Sequence, residues 1–543
     1  LADPPPGLLA RPDPAVPWLF HADPERRPRP WFNWARTDAD VDRRAREEDL
    51  PVVLRRRALA GELRERRLAL AAGKAPPADY FRPTQPTAED YPAFEIAVQD
   101  VAGGPWRTIA PEAMRVVNLA DPPPGLLARP DPAMPPRDGG GGAFAAAELL
   151  VDPRLGRIAF PTATPVPAAV RSDHLLGYGA EIGAGPFDRN AELRAMIGTI
   201  GGGAPVAWQA SVMKDRPDVP ADNLFGTVAA AVAAWNALPA APRVGLILIE
   251  DSARHDLGMA TLGVTLKKGA GLIVAAGRWP FDGAEPLGDR IGRYEASALR
   301  PHLAGKLSVK ATGPARLGLS GLFHSGAFAV LTGQLTRFLA AHTTFDADAT
   351  LKAAANPELA MAFDHCLCGP LALDPVVPEL ALESTIVQAG ASGDAIVAAG
   401  ARFIVQSSSL FGRVAPIREL WASSSLFSRP VVARRTQAGC VRFCYVADGS
   451  RVPRRYRCQP ELAVKAGADA RRVKPHLVSR DRASPWYGQL HPLAHPALRT
   501  GGEDGGEIGA FRSPSSALLE GNVEATLDEY LRLGMAAGLL IAT

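Results

Sequence analysis

The chain of 543 residues carries 60 Lys and Arg against 57 Asp and Glu, a formal charge of only +3 that does not predict a nucleic-acid partner. Five cysteines are too few, and odd in number, for a disulfide scaffold, which favours synthesis in a reducing compartment. The sequence contains no run of 18 apolar residues, so it predicts no membrane span. The 51 Pro and 52 Gly residues indicate many turns and few long helices.

The first 142 residues are predicted to be a Pro- and Arg-rich region with one exposed helix. Residues 54–74 are rich in Leu, Ala, Arg and Glu, and Leu59, Leu63 and Leu68 are interspersed with charged residues. Basic residues on such a helix can suggest RNA or anionic lipid, but the interspersed Glu residues favour a solvated helix face.

A duplication and a small β domain come next. Residues 1–15 recur unchanged at 119–133, which we interpret as a recent local duplication or a sequence artefact rather than a fold-defining repeat. A Gly-rich run at 136–142 is typical of a linker. It precedes a predicted small β domain at 143–222, in which 149–160 indicates a strand, an Asp-Pro turn and a second strand.

Residues 223–435 are predicted to form a right-handed parallel β-helix with a capping helix at its start. Thr227 can cap that helix, because apolar residues follow at helical spacing: Val228, Ala231, Val232 and Trp235. Short strands separated by Gly or charged turn residues begin at 244. An amphipathic helix before such strands suits the exposed apolar end of the first coil.

A periodic pair of apolar residues is the main evidence for the β-helix. The pair recurs at spacings of 21, 23, 19, 23 and 17 residues. Its members are Leu317 and Leu319, Phe338 and Ala340, Met361 and Phe363, Leu380 and Leu382, Phe403 and Val405, and Leu420 and Ala422. Each pair alternates as in a strand. Leucine-rich repeats are the main rival, but the Asn that they require at a fixed position is missing.

Small hydroxyl or thiol residues follow the apolar pairs in five of the six coils. They are Thr343, Cys366, Thr385, Ser408 and Ser425. At a fixed corner of stacked coils, we expect these side chains to hydrogen-bond along the stack. Residues 436–543 are predicted to be an irregular and helical C-terminal cap, with a helix beginning near Asn522 that covers the far end or docks in an assembly. The fold class is therefore mainly β.

Two resemblances accompany these patterns. The stretch FGTVAAAVAAWNALPAAPRVGLILIEDSARHD, at 225–256, resembles the opening coil of pectin-esterase-like β-helix proteins, and only the fold is implied, since no catalytic motif of those esterases is matched. Stretches such as VDPRLGRIAFP and GCVRFCYVADGSRVPRRYRCQPELAV resemble uncharacterised bacterial proteins of phage-tail-like, contractile-injection gene clusters. That likeness implies a fibre- or spike-like protein among other tail or baseplate proteins.

Asp364 and Glu383 are the candidate catalytic residues. If the coils align as proposed, they occupy neighbouring coils at the same outward position, with Gln406 next and Ala341 before. Paired carboxylates on a β-helix face can perform acid and base catalysis on polysaccharides. Their close spacing and the lack of a repeated Asp motif favour a solvated face instead.

Metal candidates are His342 and His365, which are predicted to stack one coil apart, together with Cys440 and Cys458. Histidine and cysteine are the usual zinc ligands. The next equivalent position in the stack is Ser384, and the cysteine spacings match no zinc signature. We therefore expect neither a metal nor another cofactor.

Three functional hypotheses follow. The first is a non-enzymatic structural or attachment protein, such as a tail fibre or other virion component, that can bind a cell-surface glycan and can form a homo-oligomer. The second is a polysaccharide lyase or glycoside hydrolase on the same fold. The third is a secreted β-helix adhesin. The chain begins at Leu1 without a signal peptide, so assembly in the cytoplasm is expected, while export through an upstream segment stays open.

Overall fold

The structure divides the chain into two compact units. It is a computed structural model that describes residues 8–13, 16–22, 29–33, 53–81, 92–120, 147–161, 164–176, 180–240, 242–281, 285–297, 299–345, 348–390, 393–482, 484 and 486–512. The first unit comprises Leu1–Tyr178 with Asp481–Pro485, and the second comprises Gly179–Arg480 with Trp486–Thr543. The predicted linker, most of each copy of the duplication and the predicted helix at Asn522 lie outside the described residues.

The N-terminal unit consists of two five-stranded sheets and one long helix, α1 (Arg56–Ala71). The strands of the first sheet are Leu8–Leu9, Trp31–Phe32, Phe94–Gln99, Arg107–Thr108 and Ala169–Leu176. The strands of the second are Arg11–Pro12, Leu19–His21, Met114–Val116, Leu149–Asp152 and Arg157–Ala159. The last two pair antiparallel around a turn, which confirms the predicted strand, turn and strand.

Helix α1 is present where the sequence predicts it, but one of its faces is buried. Leu59 and Leu63 pack in the core of the unit, whereas Leu68 is 60% exposed, so the expectation of an exposed helix is wrong for this face. The buried Glu62 carboxylate accepts backbone N–H groups of Asp79 and Tyr80 at 3.1 and 2.7 Å. The helix therefore holds the loop that follows it.

The second unit is a parallel β-helix whose coils contribute to three parallel sheets. Sheet 1 contains Trp208–Val212, Leu224–Phe225, Gly245–Ile249, Gly271–Ala276, Ala315–Ser320, Leu335–Ala341, Ala360–Asp364, Glu379–Glu383, Arg402–Gln406, Glu419–Ser423, Gly439–Arg442 and Arg455–Tyr456. Sheet 2 contains Arg254–Asp256, His302–Ala304, Phe323–Ser325, Thr344–Phe345, Leu367–Cys368, Ile386–Gln388, Ser409–Phe411, Leu426–Phe427 and Tyr445–Val446. Sheet 3 contains Leu262–Leu266, Leu307–Ala311, Phe328–Val330, Leu351–Ala353, Leu371–Leu373, Asp394–Val397, Arg413–Ile417 and Val431–Ala433.

The predicted register of the six coils is confirmed. In sheet 1, Leu317 pairs with Phe338 and Phe338 with Met361, and the later coils continue the column in the same way. The column runs on to Val441, and parallel strands extend from Trp208 to Tyr456, on both sides of the predicted range 223–435.

Apolar side chains of successive coils form one continuous core. Phe338 and Phe363 are fully buried, with ring centroids 5.5 Å apart, and Phe345 lies 6.0 Å from Phe363. Each buried phenylalanine contributes roughly 2–3 kcal/mol of transfer free energy relative to an exposed one. The stack is therefore held together mainly by contacts between neighbouring coils.

Helices close the first coils of the β-helix. In helix α3 (Val228–Ala237), Thr227 Oγ1 accepts the Ala230 N–H at 3.1 Å, and the four predicted apolar residues are buried, as the sequence indicates. Helix α2 (Asn190–Gly201), which the sequence pattern did not predict, packs Leu193 and Met196 on the outer face of sheet 1. Shorter helices are Leu287–Arg290, Glu461–Lys465 and Pro496–Arg499, with 3-10 turns at Pro111–Ala113 and Pro220–Asp222.

Candidate functional site

From Gly321 onward, each coil turns between sheet 1 and sheet 2 through one residue with positive φ. The residues at this corner are Gly321, His342, His365, Ser384, Ser407, Ser424, Phe443 and Arg457. Their φ angles lie between 43° and 72°, a region that costs a non-glycine residue roughly 1 kcal/mol or more. The His342 and His365 N–H groups donate to the Asp364 and Glu383 carbonyls of the next coil, each at 3.0 Å. The corner therefore continues the backbone ladder and fixes the side chains that flank it.

A ladder of small polar side chains lines the inner side of the corner, as predicted. The Cys366 N–H donates to Thr385 Oγ1, and the Thr385 N–H donates to Ser408 Oγ, each at 3.1 Å. The Ser408 N–H donates to Ser425 Oγ at 3.2 Å. The Thr385 hydroxyl also donates to the Glu383 carbonyl of its own coil at 2.7 Å. These groups are buried and engaged in the stack, so they act as structural residues and not as nucleophiles.

Asp364 and Glu383 lie side by side on the outer face of sheet 1, with Ala341 and Gln406 on either side, in the predicted register. Burial and the neighbouring charge of Asp364 raise the pKa of Glu383, while His365 acts in the opposite direction. Asp364 Oδ1 is 2.7 Å from His365 Nδ1, an ion pair that the spacing alone did not predict. The two carboxyl groups therefore have different environments.

His342 and His365 stack one coil apart, as predicted, with ring centroids 4.9 Å apart and planes 15° apart. Burial lowers the pKa of His342 to about 4, and the charges of His365 and Arg189 act in the same direction. Burial also opposes protonation of His365, but the Asp364 hydrogen bond and charge raise the pKa of His365 overall. At neutral pH, His342 is therefore uncharged.

A segment preceding helix α2 crosses the corner beside the histidines. The Gly183 N–H donates to the His365 carbonyl at 2.6 Å, and the Ala184 N–H donates to Thr344 Oγ1 at 2.8 Å. The Phe187 ring lies 5.7 Å from the His342 ring. No periodic signal in the sequence marks this segment, because it lies outside the coils.

The remaining metal candidates are not brought together with the histidines. Cys440 is half-buried and pairs with the outward Trp421, whereas Cys458 is buried at the inner side of the corner. Burial raises the pKa of Cys366, Cys444 and Cys458, so these thiols are held in the protonated form. In the part of the chain that the structure describes, no three His, Cys, Asp or Glu side chains are placed to hold a metal ion.

Trp421 and Arg402 belong to the outer face of sheet 1 and were missed as site candidates. Trp421 is 40% exposed, and the Arg402 guanidinium carbon lies 5.3 Å from the centroid of its ring. Trp421 lies between the inward residues Leu420 and Ala422, so the strand alternation could have placed it on the outer face.

The centre of this outer face carries apolar or small side chains in one register. From coil to coil they are Leu339, Ala362, Ala381, Ile404 and Trp421. The polar groups of Asp364, Glu383 and Gln406 run beside this strip, and Arg402 lies across it. The outer face therefore combines a shallow apolar strip with hydrogen-bonding groups on strands about 4.8 Å apart, and it carries the exposed Trp421 ring in one coil.

No protein-family model, no curated protein and no solved structure matches the chain. The fold thus stands on the observed strand pairing alone. Among the described residues, every helix is too short or too polar to span a lipid bilayer.

Proposed function

We propose that the protein is a structural or attachment component, fibre- or spike-like, of a phage-tail-like particle, and that the outer face of sheet 1 binds a glycan. The sequence likeness to proteins of contractile-injection gene clusters supports the particle setting. The stacked coils support the structural role, because each coil is held by its neighbours and the whole resists bending.

The exposed Trp421 ring is the observation that carries the glycan proposal. An indole ring offers a flat apolar face and a polar edge, which suits the apolar face of a pyranose ring and its hydroxyl groups. Arg402 holds the ring from one side, and Gln406 and Glu383 offer hydrogen-bonding groups in the neighbouring strands. A sugar chain lying along the stack would meet the Trp421 ring in one coil and the Gln406 and Glu383 side chains in the two preceding coils.

The test is binding of the purified full chain to a glycan array, followed by titration of the best ligands with a Trp421→Ala variant. Loss of a central aromatic contact is expected to weaken binding roughly 30-fold, or about 2 kcal/mol. Trp106→Ala is the matched control, since Trp106 is 37% exposed in the N-terminal unit and also lies under an arginine, with Arg171 5.2 Å from the ring.

Equal losses in the two variants would argue against sheet 1 as the binding face, and a wild-type chain that binds no glycan would overturn the proposal. Neighbouring genes give an independent check on the particle setting. Genes for a tail tube, sheath and baseplate would support it, whereas sugar-uptake genes would favour an enzyme.

A polysaccharide lyase or glycoside hydrolase is the second candidate, and the contrast between Glu383 and Asp364 favours it. A carboxyl group with a raised pKa beside a carboxylate that is paired to histidine suits an acid and its partner. Release of new sugar ends by the wild type, lost in a folded Glu383→Gln variant, would establish cleavage; an inert wild type would exclude it.

A further inference from the structure

The last coils of the β-helix carry a concentration of positive charge that the overall composition conceals. Residues 429–474 contain ten Arg and two Lys against two Asp and one Glu, a net charge of +9 in a chain whose total is +3. The rest of the chain is therefore net negative. A charge density of this kind produces a local field that attracts anionic ligands.

Most of these cations are exposed, and several have no acidic partner. Arg435, Arg442 and Arg455 form ion pairs with Glu419, Glu503 and Glu461. Among the described residues, no carboxylate lies within ion-pair distance of Arg451, Arg454 and Arg457. Clustered charges repel one another, and the repulsion is relieved when an anion binds between them.

The final coil places an aromatic ring among these cations. Tyr456 is 52% exposed and pairs with Arg442 of the preceding coil in sheet 1. The Arg457 guanidinium carbon lies 5.7 Å from the Tyr456 ring centroid, and the Phe443 ring meets the Tyr456 ring edge-on at 5.7 Å. This surface comprises Arg442, Arg454, Tyr456 and Arg457, and the strand that carries Arg442 pairs with the strand that carries Trp421.

We infer that this terminal surface binds the anionic groups of an acidic polysaccharide, so that the glycan of the proposed function carries carboxylate, sulfate or phosphate groups. The inference rests on that proposed function and specifies its ligand class. Guanidinium groups bind such oxyanions through paired N–H donors, and a tyrosine ring beside them can pack against a sugar. A single-stranded nucleic acid requires a succession of aromatic rings for its bases, whereas this coil exposes one, Tyr456.

The experiment compares immobilised polygalacturonate with neutral dextran, and with poly(dT) as the nucleic-acid probe, using biolayer interferometry at low and at physiological salt. For the double variant R454Q/R457Q of the full chain, we expect about tenfold weaker binding to polygalacturonate and unchanged binding to dextran. The control variant R57Q/R64Q removes the same charge from exposed positions of helix α1. It is expected to bind like the wild type.

Each alternative outcome identifies what fails. If both double variants bound polygalacturonate equally weakly, the effect would be due to net charge alone, and the inference would be overturned. Equal binding of the wild type to dextran and polygalacturonate would overturn the inference but leave glycan binding intact. Binding to neither would also overturn the inference, and the glycan array would then decide whether the proposed function stands. Tighter binding to poly(dT) than to polygalacturonate, lost in R454Q/R457Q, would assign the surface to nucleic acid. The Tyr456→Ala variant, which keeps every charge, is expected to weaken polygalacturonate binding as well.

Discussion

The two units of the protein build β-sheets in contrasting ways. In the N-terminal unit, strands from opposite ends of the unit pair, such as Leu8–Leu9 with Ala169–Leu176 and Leu19–His21 with Arg157–Ala159. In the β-helix, each strand pairs with the strand one coil later, as Ala360–Asp364 does with Glu379–Glu383. A unit of the first kind is held by contacts between strands that are distant in sequence, whereas a stack distributes its stability over many similar interfaces.

The largest expected effect tests how far the loss of stability caused by a core substitution extends through each unit. Phe363→Ala and Phe94→Ala each remove a fully buried phenylalanine and are expected to cost about 3–5 kcal/mol. Hydrogen exchange measured by mass spectrometry should rise after Phe363→Ala mainly in the neighbouring coils, at Leu335–Ala341 and Glu379–Glu383. After Phe94→Ala it should rise throughout the N-terminal unit.

Uniform loss of protection along the whole β-helix after Phe363→Ala would contradict the picture of local interfaces. The Phe94 site provides the matched comparison, because Phe94 also packs against aromatic rings, those of Trp31 at 4.7 Å and Phe81 at 5.0 Å.

The two units should respond to pH in opposite directions. Burial raises the pKa of Glu62 to about 7 from an ordinary value of 4.5, so its stabilising contribution is complete below pH 4.5 and is lost as the pH rises through 7. Burial lowers the pKa of His342 to about 4 from 6.5, so its contribution is complete above pH 6.5 and is lost as the pH falls through 4. Each effect amounts to about 3 kcal/mol.

Urea unfolding of each unit, followed by hydrogen exchange of its own peptides between pH 4 and 8, measures these opposing slopes. Glu62→Gln should remove the slope of the N-terminal unit. His342→Asn should remove that of the β-helix, since asparagine tolerates the positive φ of the corner. Slopes that persist in these variants would assign the pH dependence to other groups.

The smallest expected effect concerns the inner ladder. Thr385→Val keeps the side-chain shape but leaves the buried Cys366 N–H without its acceptor, which should cost about 1–2 kcal/mol. The half-buried Thr336 hydroxyl donates to the Ala315 carbonyl at 3.0 Å and serves no N–H, so Thr336→Val should cost less. The shift in the urea unfolding midpoint, at an unchanged dependence of the unfolding free energy on urea, compares the two variants. Equal shifts would mean that the ladder adds nothing beyond an ordinary hydroxyl bond.

The register of the β-helix could be predicted because each coil repeats one frame, that is, a fixed spacing between its inward apolar residues and its corner residues. The apolar pair and the residue three positions later keep their spacing, as in Phe363 and Cys366 or Leu382 and Thr385. The pairing of Asp364 with Glu383 and the stacking of the histidines follow from that frame. The N-terminal topology has no such repeat, and its short strands pair over distances that no local pattern encodes.

Other features of the site depend on tertiary contacts. The positive φ at His342 and His365 accompanies backbone hydrogen bonds to the next coil. The sequence hardly indicates it, since among the corner residues glycine occupies the equivalent position only at Gly321. The contacts of Gly183 and Ala184 with the corner arise from a segment outside the repeat. Trp421 was visible as an outward residue, but its pairing with Arg402 required the register of neighbouring coils.

The corner between sheet 1 and sheet 2 also determines where the β-helix can accept new sequence. From Leu319 to Phe323, and again from Val441 to Tyr445, the last inward residue of sheet 1 lies four positions before the first outward residue of sheet 2. Between Leu317 and Leu420 the coil length nevertheless varies from 17 to 23 residues, so in these coils the variation falls in the turns on either side of sheet 3. In these coils, a peptide grafted into the turns beside sheet 3 is expected to preserve the stack, whereas a residue inserted at the corner would shift the inward and outward side chains of the sheet 2 strand that follows. An earlier coil does accommodate an insertion at this corner, since residues 277–301 lie between Gly271–Ala276 of sheet 1 and His302–Ala304 of sheet 2.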